Sequence, residues 1–126
     1  MDELLEQSDI VSLHCPLTPE THHLINAERI SKMKQGAYLI NTARGGVIDS
    51  EALAQALNKG YLSGAGIDVF ENEPPLDTNH PLLHSKNTIV TPHIPSLLPE
   101  SMEARAEIVF QNIKTWLEGK QQNIIL

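Results

Sequence analysis

Three side chains in this 126-residue sequence are of the types needed to move a proton beside an anion. Arg44 lies in Asn41-Thr42-Ala43-Arg44-Gly45-Gly46. Its guanidinium is a rigid donor fork that matches a carboxylate. The two glycines permit a tight turn and close backbone approach to a ligand. An arginine pairing with a nearby surface acid would explain the same residues equally well. Glu73 precedes Pro74-Pro75, which stiffen the loop that holds it, but with Glu71 and Asp77 nearby the stretch reads on composition as a solvated acidic loop. His93 stands in Thr91-Pro92-His93, and histidine is the side chain best suited to proton transfer near neutral pH. There are five other histidines, His14, His22, His23, His80 and His84. None stands in an H-E-x-x-H motif, and His22 and His23 are adjacent rather than on one helical face.

What distinguishes Arg44, Asp68 and His93 is the elements before them. Helix and strand signals alternate along the chain. Asp2 to Glu6 reads as a helix tail, and Asp9 to His14 as a strand stopped by Pro16. Asn26 is placed to cap a helix running to about Lys34 and closed by Gly36. Ala37 to Asn41 is a second strand. Ser50 is placed to cap a helix over Glu51 to Lys59, closed by Gly60. Gly64 to Phe70 and Thr88 to Thr91 are the third and fourth strands, separated by a Pro, Asn and Asp-rich loop. Pro99 opens a long helix ending at Gly119. Its Met102, Ala106, Val109, Ile113, Trp116 and Leu117 recur at helical spacing, as a packed apolar face would. Strands that are apolar throughout, joined by helices, predict an α/β fold with a parallel sheet covered on both faces. Ligands in such sheets sit beyond the carboxyl ends of the strands, which is where His14-Cys15, Thr42-Ala43-Arg44, Asp68 and His93 fall.

Composition bounds the rest. The net charge of -7 argues against a nucleic-acid surface, which needs clustered Lys and Arg, but not against a small anion held by one arginine. Cys15 is the only cysteine, so no intrachain disulfide can form, as suits a reducing cytoplasm. The sequence shows no signal peptide and no apolar run long enough to span a bilayer, so no membrane partner is expected.

Four motifs, in order and over nearly the whole chain, make the sequence specific. They are Ser8 to Thr18, then Met33-Lys34 with Ile40 to Asp49, then Gly66 to Pro75, and Thr91-Pro92-His93. Together they resemble the D-isomer-specific 2-hydroxyacid dehydrogenases. The resemblance implies a partial doubly wound, Rossmann-like sheet, strands 3 to 6 of a dinucleotide-binding domain, with a long C-terminal helix. It implies an NAD-dependent oxidoreductase, with NADP left open, acting on a small 2-keto or 2-hydroxy acid. Arg44 would hold the substrate carboxylate and keto oxygen. His93 would be the general acid in reduction and the base in the reverse direction, and Glu73 its carboxylate partner. Asp68 would lie near the nicotinamide carboxamide, Thr42 and Ala43 along the nicotinamide, and Cys15 and Pro16 at the adenosine end. A homodimer through this domain is implied as well.

Two departures from that family bear on the expectation. After His93 the chain reads Ile94-Pro95-Ser96 where many relatives carry small residues, and proline removes an N–H and fixes φ. No G-x-G-x-x-G opens a helix, because Gly64-Ala65-Gly66 lies inside a strand. The expectation is therefore a truncated NAD-binding domain over residues 1–126, with about 119–126 as a tail toward a substrate domain, and no activity alone. In the strand order 3-2-1-4-5-6, the strand Asp9 to His14 would then lose its neighbours, at about 1–3 kcal/mol per unpaired buried group. A non-catalytic NAD-sensing or co-regulator-like protein on the same scaffold is the alternative reading.

Overall fold

The computed structural model describes residues 1–72, 76–94, 98–120 and 122–123. It divides into two units, Met1–His93 and Ile94–Leu126.

The first unit is built on four short parallel strands, β1 (Ile10–Leu13), β2 (Tyr38–Asn41), β3 (Gly64–Ile67) and β4 (Thr88–Val90), in the spatial order β1-β2-β3-β4. Helix α1 (Asp2–Gln7) precedes β1. Helices α2 (Ala27–Lys32) and α3 (Ser50–Asn58) form the crossovers into β2 and β3. Side chains alternate across each strand. Val11, Leu13, Leu39, Asn41, Ala65 and Ile67 point into the core. There they join Leu53 and Leu57, one helical turn apart on α3, with Ile30, Met33, Val47 and Ile48. The opposite sheet face leaves Ile10, Tyr38 and Ile89 exposed. The expectation of a sheet covered on both faces thus holds for one face only.

The order of the strands corrects a second expectation. The segment around β1 is not orphaned. It pairs with β2 through all four of its residues, from Ile10 with Tyr38 to Leu13 with Asn41. In the order 3-2-1-4-5-6, only strands on one side of the switch point follow one another in space as they do in sequence. Four neighbours in sequence order therefore cannot be strands 3 to 6. The four strands pair with one another in sequence order.

The helix boundaries follow local chemistry. The Asn26 side chain accepts from the Arg29 N–H at 3.0 Å, satisfying an orphan donor of α2 as predicted. For α3 the cap is Asp49, not Ser50: the Asp49 carboxylate accepts from the Ala52 N–H at 3.0 Å. Ser50 is the first helical residue, and its hydroxyl is directed elsewhere, as described below. Gly60 adopts the left-handed φ of 71° that ends this helix.

The second unit is a single long helix, α4 (Pro99–Leu117), with Pro99 in its first turn. The apolar stripe anticipated there exists, but none of it is buried. Met102, Val109, Ile113, Trp116 and Leu117 are all exposed. The reading of that stripe as a packed face is therefore not met within this unit. No helix among the described residues is long and apolar enough to cross a membrane.

Candidate functional site

The carboxyl ends of β2, β3 and β4 are stitched together by backbone hydrogen bonds. The Asp68 N–H donates to the Asn41 carbonyl at 3.0 Å, and the His93 N–H donates to the Asp68 carbonyl at 3.0 Å. The turn carrying Arg44, the residue ending β3 and the candidate proton donor thus form one transverse row. Asp68 directly follows β3, and Arg44 and His93 each lie three positions past the last residue of β2 and β4.

Buried Asn41 shapes the arginine turn. Its Oδ1 accepts from the Ala43 N–H at 3.0 Å and its Nδ2 donates to the Arg44 carbonyl at 2.9 Å. One side chain therefore satisfies both polar groups of a buried turn. The Arg44 side chain is exposed. One Nη1–H donates to the Ala43 carbonyl at 2.6 Å, and among the described residues no carboxylate pairs with it. That observation removes the alternative of an arginine occupied by a neighbouring described acid. A short 3₁₀ helix, Gly45–Val47, follows. Its glycines serve packing rather than ligand approach. A Cβ on Gly45 would lie 1.9 Å from the Phe70 carbonyl carbon, and one on Gly46 would lie 3.1 Å from a Leu17 methyl. The arginine turn is pressed against the segment after β3 on one side and the segment after β1 on the other.

An open cleft of about 630 Å³ lies between the ends of β1 and β2, lined by His14, Cys15, Pro16, Leu17, Thr42, Ala43 and Arg44. Its volume is in the range of small-molecule sites. It brings five of the expected residues together and adds His14, whose Nε2 lies 2.9 Å from Ser12 Oγ, and Leu17. Asp68 and His93 do not line this cleft and belong to the row described above.

Asp68 is 5% exposed, and Thr91 Oγ1 donates to its Oδ1. His93 is half-buried with φ of 56°, a left-handed conformation that is uncommon outside glycine, although histidine is enriched in it. Such residues concentrate at functional sites. Glu73, Pro95 and Ser96 lie outside the described residues. Among the described residues no group of three His, Cys, Asp or Glu side chains could hold a metal ion.

Sequence reasoning missed a cluster beside the row. The Ser50 hydroxyl donates to Glu71 Oε1 at 2.5 Å, and His80 Nε2 lies 3.0 Å from Glu71 Oε2. Burial raises the Glu71 carboxyl pKa, but the hydrogen bonds from Ser50, its own backbone and His80 outweigh that and hold it below its ordinary value of 4.5. A signal existed in Pro81, which follows His80 as proline follows a cap at a helix start.

An open parallel α/β sheet with polar and charged residues gathered at its strand ends is the arrangement of a dinucleotide-binding type of domain. Comparison with known proteins makes the class specific. Residues 1–95 match the family model of the D-isomer specific 2-hydroxyacid dehydrogenase, NAD binding domain. The chain is 54% identical over 120 residues to a glyoxylate reductase of Thermofilum pendens, covering 95% of this chain and 35% of the relative. A D-lactate dehydrogenase from Aquifex aeolicus, solved with NAD and lactic acid, superposes with a TM-score of 0.76 at 45% identity, covering 94% of this chain and 40% of that one. A D-isomer specific 2-hydroxyacid dehydrogenase from Xanthobacter autotrophicus Py2, solved with NADPH and MES, superposes with a TM-score of 0.79 at 40% identity, covering 97% of this chain and 49% of that one. The chain belongs to the D-isomer specific 2-hydroxyacid dehydrogenase NAD-binding domain family. It spans between about a third and a half of the length of these relatives.

Proposed function

We propose that this chain forms the carboxylate-anchoring and proton-handling edge of an NAD-dependent oxidoreductase that interconverts a small 2-keto acid and its D-2-hydroxy acid. The observation that carries the reading is the hydrogen-bonded row from Asn41 through Asp68 to His93, with the Arg44 fork unpaired by any described acid beside it. Arg44 binds the substrate carboxylate and orients the keto oxygen. His93 gives that oxygen a proton in reduction and removes it in oxidation. Glu73 favours the charged imidazole, so the proton is retained until delivery. The nicotinamide supplies the hydride. Thr42, Ala43 and Asp68 are assigned to its side of the site, and Cys15 and Pro16 to the adenosine end. The open cleft that joins Cys15 and Pro16 to Thr42 and Ala43 supports this assignment. NAD is the assigned cofactor, with NADP the variant, as relatives carry one or the other. The assembly is a homodimer and the compartment the cytoplasm.

A graft tests this. Residues 1–120 replace the matching segment of the Thermofilum pendens relative, and NADH oxidation is followed with glyoxylate and with other 2-keto acids. Turnover is expected. Arg44→Lys should raise KM for the keto acid, and His93→Gln should lower kcat by about 10²–10⁴-fold. A folded graft that binds NADH and keeps its rate with His93→Gln would overturn the assignment.

A further inference from the structure

The loop that carries Glu73 is closed by two residues that no catalytic assignment uses. Glu71 and His80 lie nine positions apart and meet at 3.0 Å, so Glu73 sits inside a loop whose two ends are clasped by side chains. The far end is oriented by its own helix cap. The Leu82 N–H donates to His80 Nδ1 at 3.3 Å, which requires Nδ1 to be the unprotonated nitrogen. The neutral ring then carries its proton on Nε2 and donates it to Glu71 Oε2. The Phe70 ring meets the His80 ring edge-on, with centroids 5.1 Å apart. The near end is equally fixed. Ser50, at the start of α3, donates to the other Glu71 oxygen at 2.5 Å, and the backbone at Phe70 and Glu71 is pressed against Gly45, the residue after Arg44.

We infer that His80 is a positioning residue: its bond to Glu71, which Ser50 also holds, ties Glu71 and His80 together beside the arginine turn. The inference rests on the proposed role of Glu73. Tying two points of a chain together reduces the entropy lost when a group between them is brought into a reactive geometry. His80 has two separable tasks, capping through Nδ1 and clasping through Nε2. Two variants divide them. His80→Asn keeps an acceptor at the cap position and loses the clasp. His80→Gln keeps a donor at the clasp position and loses the cap.

The test has two arms. In the chain itself, nitrogen NMR should show His80 with its proton on Nε2. Amide exchange at Glu71 and Asn72 should quicken about tenfold in His80→Ala and His80→Asn and return in His80→Gln. In the graft described above, His80→Ala and His80→Asn should lower kcat by about 10- to 100-fold with KM for NADH unchanged, and His80→Gln should restore it. Unchanged exchange in His80→Ala, or a His80→Asn variant matching the parent in both arms, would overturn the inference. A graft inactive with His80 intact would count against the functional reading, while the exchange rates would still decide the clasp.

Discussion

Helices α3 and α4 carry the same kind of apolar repeat and meet opposite fates. In α3, Leu53 and Leu57 are 0% and 1% exposed. In α4, Trp116 and Leu117 are 67% and 73% exposed. The periodicity marks a face in both cases. What separates them is that α3 belongs to a crossover tied to two strands, so its face is brought onto the sheet. A helical repeat therefore reports which side of a helix is apolar and leaves open what covers it.

That comparison can be attacked from its strong side. Gly45→Ala should have the largest effect. Its Cβ would collide with backbone rather than with a pliable side chain, so a loss of about 4 kcal/mol is expected in denaturant unfolding of the chain. Leu53→Ala should cost about 3 kcal/mol through the cavity it leaves. A smaller effect should appear in acid. Because the Glu71 carboxyl is held below 4.5 in the folded chain, it contributes stability above that pH, and the contribution is lost as pH falls through the folded value. Glu71→Gln should thus flatten the acid limb of a stability–pH profile, and an unchanged limb would show that the clasp contributes nothing. At the weak end, Trp116→Ala should alter unfolding by no more than about 0.5 kcal/mol. A larger loss would show that the Trp116 side chain is covered in solution.

How far the sequence could be read depended on the range of the interaction. The Asn26 cap was legible because donor and acceptor are three residues apart. Asp49 and Ser50 are both good caps and adjacent, and the choice between them accompanies a bond from Ser50 to Glu71, 21 residues away. The placing of Arg44, Asp68 and His93 just beyond strands was legible because strand ends are readable from apolar runs bounded by turn residues. Glu71 and His80 were not, since an acid in an acidic loop and one histidine among six gain meaning only when the loop folds back. The pairing of β1 was misread because strand order is set by which crossovers close on which neighbours, and no local pattern encodes it.

The stitched strand ends also make the sheet a gauge. Neighbouring strands lie about 4.8 Å apart, and the arginine turn and the histidine flank Asp68 on either side, two such steps from one another. A molecule gripped by both must cross the carboxyl end of β3, where Asp68 lies. Under the proposed function, the spacing of the backbone sets the gap that a ligand held by both side chains has to bridge.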